Sequence, residues 1–216
     1  MKAFGKINYI FIVRHPDVDE GQVTIVNTKR SFMESCLIRL LKWLVMFGPF
    51  FQLYKLITRK TSITLAPKDT QISCQGIKDA QTIARLCLAR IPNLDSISLR
   101  HIRLITTEAT RARSGTNPWL MEISQLLDVI ELPYGLTVKD KMAKVFAERI
   151  LTVIGRRRVK LLVLVIHEPT VNTIATVMMP GSTVSGPEPL KPGEARFINN
   201  TRVKKVWERI SLPKAT

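Results

Sequence analysis

Three polar clusters in this chain each follow an apolar run, and their residue types suit chemistry at phosphorus. Arg14-His15-Pro16 comes directly after the run 7–13 (INYIFIV). Thr106-Thr107-Glu108-Ala109-Thr110-Arg111-Ala112-Arg113 grows out of the run 102–106 (IRLIT). His167-Glu168-Pro169 follows 160–166 (KLLVLVI), the most apolar run of the three. The chain has three histidines, and two of them occupy this position. A neutral imidazole is a good nucleophile towards phosphorus. The planar fork of arginine binds phosphoryl oxygens in pairs and keeps its charge. A second histidine and two arginines around one phosphate would neutralise the charge of the transferring group. A carboxylic acid would then protonate the leaving oxygen and later activate water. The third histidine, His101, lies in a basic stretch and reads as a surface residue.

The elements needed to hold these clusters follow from the apolar pattern. Residues 7–13 form a continuous apolar run rich in β-branched residues, as expected of a strand buried on both faces of a parallel sheet, and 160–166 is the strongest strand of the chain. Shorter strands are expected at 102–106 and 127–130, and closing strands at 195–200 and 203–210. Residues 75–90 place Ile77, Ala80, Ile83, Ala84 and Leu86–Cys87 at helical spacing and stop before Pro92. Helices are also expected at 108–125, where Gly115 and Pro118 disturb the pattern, at 137–154, closed by Gly155 and the run Arg156–Arg158, and at 169–179. Pro180 to Gly193 reads as a loop. Alternating strands and helices predict an α/β fold with a mostly parallel central sheet and helices on both faces. Its polar clusters then fall at the carboxyl ends of strands, where α/β folds carry their sites.

One segment departs from this scheme. With 216 residues the chain reads as a single domain, 1–216, carrying an insertion at 22–66. Within it, residues 31–58 form an apolar helical hairpin broken at Gly48–Pro49, with narrow polar stripes and basic flanks at Lys29, Arg30, Arg59 and Lys60. A lid, a dimer interface and contact with an anionic membrane surface are its three readings, and the basic flanks favour the last. The oligomeric state stays open. Arg39, Lys42 and Gly48–Pro49 break the run well before the ~20 apolar residues of a spanning helix.

The formal charge is +16, concentrated towards both ends of the chain, and it favours anionic partners. The Arg156–Arg158 run reads as a solvated helix end rather than a nucleic-acid patch. The three cysteines, Cys36, Cys74 and Cys87, lack metal-type spacing and read as buried thiols of a reducing compartment, the cytoplasm. The run 7–13 leads into Arg14 and His15 rather than a cleavage site, so it reads as a strand and not a secretory signal.

The ordered motifs resemble the histidine phosphatase superfamily, which includes cofactor-dependent phosphoglycerate mutase. Arg14-His15-Pro16 resembles the family's R-H-G. Asp69-Thr70-Gln71-Ile72-Ser73-Cys74-Gln75-Gly76 is similar to its D-x-x-L-[ST]-x-x-G. Thr107 to Ala112 is similar to S-x-x-x-R-A, Glu131-Leu132-Pro133-Tyr134-Gly135 to E-x-x-[FY]-G, and Leu161 to His167 to the strand that ends in a second histidine. Leu190-Lys191-Pro192-Gly193-Glu194 resembles a segment common in the phosphatase branch.

The resemblance implies a phosphomonoesterase that acts on a phosphorylated substrate without metal or other cofactor. It implies a nucleophile at His15, phosphate binding by Arg14 and Arg111, and His167 as the catalytic histidine that completes the phosphate pocket. Arg113 is the alternative register for Arg111. Glu131 is implied as the proton donor, and Glu168 is the alternative acid, because one branch draws its acid from the residue after the second histidine. Pro16 stands where the family has glycine, Val18 where a Thr or Ser is common, and Gly21 where mutases have asparagine. These departures favour a phosphatase over a mutase. A non-catalytic module binding anionic lipid or phosphorylated ligands is the reading from outside enzymology.

Overall fold

The computed structural model describes residues 4–17, 72–136, 140–155, 158–167, 171–186 and 188–213. All belong to one compact unit. The insertion 22–66, with its hairpin at 31–58, lies outside the described residues.

Seven strands make one sheet: β1 (Tyr9–Arg14), β2 (Ile102–Thr107), β3 (Val129–Leu132), β4 (Leu161–Ile166), β5 (Thr183–Val184), β6 (Ala195–Asn199) and β7 (Val206–Ile210). Their order is β3-β2-β4-β1-β6-β7-β5. The four strands from β3 to β1 run parallel. β6 then pairs antiparallel with β1, and β7 antiparallel with β6. The register sets Arg14 beside Ile166, and Thr106 between Val165 and Glu131. The polar clusters therefore leave the sheet along one edge.

Helices cover both faces: α1 (Cys74–Leu88), α2 (Thr110–Ser114), α3 (Asn117–Ile123), α4 (Ala143–Ile154) and α5 (Val171–Met178). Alternation along the strands divides the core. Ile10, Ile12, Leu162 and Leu164 pack under Phe146 and Ile150 of α4 and Ile174 of α5. Phe11, Val13, Val163 and Val165 pack under Ile83 and Cys87 of α1 and Trp119 of α3. Both faces being covered is why β1 and β4 are apolar at nearly every position. Phe11 stacks on Phe197 with ring centroids 4.7 Å apart. A fully buried side chain of this size contributes about 2 kcal/mol.

Several boundaries differ from expectation, each for a local reason. The helix expected over 108–125 is two helices, because Pro118 in the first turn of the second has no N–H to continue the first, and Gly115 between them packs closely on Pro16. A Cβ there would lie 2.9 Å from Pro16 Cδ and 3.2 Å from Val165 Cγ1. The third strand is Val129–Leu132 rather than 127–130, so Glu131 lies inside it. The helix expected from 137 becomes regular only at Ala143, after the short turn Asp140–Met142. The last strand begins at Val206 rather than 203. β5, two residues long within the expected loop, is too short to leave a periodic signal. Cys87 is buried as expected, whereas Cys74, at the first turn of α1, is exposed. Among the described residues no helix is long and apolar enough to cross a membrane.

Candidate active site

The site is assembled where β1, β2 and β4 end. The backbone of His15 is held from both sides. Its N–H donates to Ile166 O at 2.9 Å, extending the β1–β4 ladder, and its carbonyl accepts from Gly193 N at 3.3 Å. Gly193 has φ 78, a left-handed conformation that suits glycine. The chain just after His15 is pinned by α1. The Ser73 N–H donates to Asp17 O at 3.2 Å, and the Ser73 hydroxyl caps the helix by accepting from Gly76 N at 2.9 Å. A Cβ on Gly76 would lie 2.5 Å from Asp17 O, so the helix can come this close only at a glycine.

The side chain of His15 is fixed in one tautomer. Its Nδ1 lies 2.8 Å from Pro16 O. A carbonyl can only accept, so Nδ1 carries the proton and Nε2 keeps a lone pair. The imidazole of His167 lies against it, with ring centroids 4.7 Å apart and planes at 55°. His167 is buried, and Arg111 Nε donates to its Nδ1 at 3.3 Å. Its Nε2 must then hold the proton, which it donates to Thr107 Oγ1 at 3.0 Å. Arg111 also donates through Nη2 to the Tyr134 hydroxyl at 3.1 Å. The Tyr134 ring meets His167 edge-on at 4.8 Å.

Arg14, the last residue of β1, is braced by the segment before β6. Its N–H donates to Glu194 O at 2.9 Å, and its Nη1 donates to Leu190 O. The buried Glu194 carboxylate fixes that segment by accepting from Lys191 N at 2.6 Å, from Arg209 Nε at 3.0 Å and from Arg209 Nη2. Burial pushes the Glu194 pKa up. The Lys191 amide and the donors of Arg209 and Ser211 outweigh that, and the net shift is downward.

Both site histidines are held neutral. Burial is the main cause of lowering His15 to about 4; the Arg111 and Arg14 charges add to it, while the Pro16 carbonyl works the other way. Burial, followed by His15, Arg111 and Arg14, lowers His167 to about 2. Since His15 is lowered, its neutral form persists well below the ordinary histidine range. If His15 is the nucleophile, the acid limb of kcat/KM, which reports the free enzyme, is expected near pH 4 rather than 6.5. A pH series on a soluble aryl phosphate, corrected for the substrate's own ionisation, measures this. An acid limb near 6.5 would mean that another group is titrating.

The structure thus brings His15, His167 and Arg111 into contact, and the charges of Arg14 and Arg111 bear on both imidazoles. Arg111, not Arg113, meets His167. Arg113 instead pairs with Glu131, Nη2 to Oε2 at 2.6 Å, on the exposed rim one strand further out. Glu168 lies outside the described residues. Thr107 and the Tyr134 hydroxyl were not singled out from sequence for these contacts. Their signals were present, as a Thr-Thr pair at the end of an apolar run and the aromatic of the E-x-x-Y-G stretch. Among the described residues no group of three or more His, Cys, Asp or Glu is placed to hold a metal ion.

A cationic pocket of this composition at this edge of such a sheet can be compared with known proteins. No family model matches the sequence, and no curated protein matches it. Solved structures do match. The protein histidine phosphatase SixA complexed with tungstate aligns over 94% of this chain and 96% of that one, at 11% identity and a TM-score of 0.51. The chain has the fold of the histidine phosphatases. A phosphoserine phosphatase from Entamoeba histolytica in complex with 3-phosphoglyceric acid aligns over 94% of this chain and 97% of that one, at 9% identity and a TM-score of 0.47. A mycobacterial glucosyl-3-phosphoglycerate phosphatase in complex with VO3 covers 94% and 98%, at 10% identity and a TM-score of 0.47. Pro16, directly after His15, has no backbone N–H to donate. The Pro16 carbonyl orients His15, and Gly115 leaves room for the ring.

Proposed function

We propose that this chain is a phosphomonoesterase that hydrolyses phosphate esters through a phosphohistidine at His15. The observation that carries this reading is the Pro16 carbonyl on His15 Nδ1, which leaves the Nε2 lone pair as the one ring position able to attack. The fold shared with a tungstate-bound protein histidine phosphatase supports it, since tungstate is a tetrahedral oxyanion.

In the first step Nε2 forms a bond to phosphorus while the ester P–O bond breaks, and the leaving oxygen takes a proton from Glu131. Arg14, Arg111 and His167 stabilise the equatorial oxygens. For His167 this requires its Nδ1 to take up a proton from solvent as the phosphate dianion binds, with Arg111 Nε turning from Nδ1 to a phosphoryl oxygen. In the second step water attacks phosphorus, Glu131 takes the water proton, the N–P bond breaks and inorganic phosphate leaves.

Quenching during turnover of a 32P-labelled ester tests the reading. The expected result is a labelled protein that is stable in alkali and labile in acid, with inorganic phosphate as the product. An isomeric phosphoester as the product would instead make the chain a phosphotransferase. Ligand binding with neither a labelled intermediate nor turnover would make it a binding module.

A further inference from the structure

The end of the sheet opposite His15 carries a concentration of positive charge that the proposed chemistry does not use. Arg100 and Arg103 flank the start of β2, and Arg158 and Lys160 precede β4. These four surround His101. Its pKa is lowered by loss of water around the ring and then by the charges of Arg100, Lys160, Arg158 and Arg103. The turn from β6 into β7 reaches the same end, because β6 runs antiparallel to β1. That turn carries Arg202, Lys204 and Lys205. The acids at this end are fewer: Glu208 pairs with Arg202 at 2.8 Å, Asp128 lines the hollow beside Arg100 and Arg103, and Asp95 and Glu122, the latter paired with Arg85 at 2.7 Å, line the hollow beside Leu99.

Apolar side chains project among these cations. Val203, at the tip of the β6–β7 turn, is fully exposed, and Leu126, beside Arg100 and Arg103, is 86% exposed. Leu99 is 39% exposed. The exposed large apolar side chains among the described residues include no aromatic. A single-stranded nucleic-acid surface needs aromatic platforms for stacking, and a phosphodiester backbone gains nothing from an isolated valine or leucine. A bilayer does, because apolar tips enter the headgroup layer while cations meet lipid phosphates.

We infer that this basic, apolar-tipped end of the sheet docks on an anionic lipid bilayer. A six-residue strand spans roughly 20 Å, so docking by this end leaves the His15 end facing away from the lipid. The surface lies wholly within the described residues and does not depend on the hydrolytic reading.

The full chain is to be sedimented with phosphatidylcholine vesicles, with and without phosphatidylserine, across a salt series. Binding is expected only with phosphatidylserine and weakens as salt rises. The triple variant Arg100→Glu/Arg158→Glu/Lys204→Glu is expected to lower the partition coefficient by roughly a hundredfold or more. Val203→Asp lowers it without changing the basic charge count. Both variants should keep the parent's thermal midpoint and its turnover of a soluble aryl phosphate, which separates lost docking from lost folding. Unchanged vesicle binding by the triple variant would overturn the inference, and so would tighter retention of the parent on RNA than on the vesicles.

Discussion

Replacing His15 with alanine is expected to lower phosphatase turnover by at least about ten-thousandfold while leaving the fold intact. The backbone contacts of His15, to Ile166 O and from Gly193 N, do not involve its side chain. The side-chain bond to the Pro16 carbonyl is lost, at a cost of about 1 kcal/mol, or about 2–4 °C in thermal midpoint for a chain this size. The activity loss is far larger because no neighbour can take over. The lone pair of His167 Nδ1 is already turned to Arg111 Nε, and its Nε2 proton to Thr107. The variant should still bind inorganic phosphate or tungstate, since Arg14, Arg111 and His167 remain, and bound oxyanion should raise its thermal midpoint. Aryl phosphate hydrolysis with purified protein is the measurement. Turnover retained by the variant would remove His15 from the chemistry. Lost turnover together with lost oxyanion binding would assign it to the pocket's integrity instead.

Much of this arrangement was legible in the sequence because strand ends are easy to read. Residues 9–13 and 161–166 are apolar at every second position and at the positions between, as a strand covered on both faces requires. Arg14-His15 and His167 could therefore be placed at one edge without any contact being known. The choice between Arg111 and Arg113 was harder. The two are separated by one residue, and which of them faces His167 depends on how a five-residue helix leaves β2. Glu131 shows the same limit. A shift of two residues in β3 moved it from the loop into the strand, where its side chain meets Arg113. The brace behind Arg14 was not legible, because it joins Leu190, Gly193 and Glu194 to residues some 180 positions away. The buried Arg196 was equally hidden. Near the start of β6 its guanidinium is satisfied by carbonyls of Ser185, Gly186 and Glu188 and by the side chain of Asn172 on α5, partners that no sequence pattern joins to it.

The second large effect concerns the proton donor. Glu131 Oε2 accepts from Arg113, and the amide oxygen of glutamine can accept the same bond, so Glu131→Gln keeps the contact and removes only the ability to give up a proton. For an alkyl phosphate, whose leaving oxygen needs that proton, kcat/KM is expected to fall by about a hundredfold to ten-thousandfold. For an aryl phosphate with an acidic phenol, the leaving group departs as an anion and the fall should be only about a few-fold. This dependence on the leaving group separates acid catalysis from pocket damage, which would depress both substrates alike. Glu168→Gln supplies the comparison. A small, leaving-group-independent effect is expected there if Glu131 is the donor, and the opposite pattern in the two variants would move the role to Glu168. Arg113→Ala adds the last piece of the argument. The guanidinium cannot stay on Glu131 Oε2 while that oxygen carries the transferring proton, so Arg113 must move or share the other oxygen during each turnover. Removing it should therefore leave alkyl phosphate hydrolysis intact or faster, whereas an arginine that itself binds the substrate phosphate would raise KM when lost.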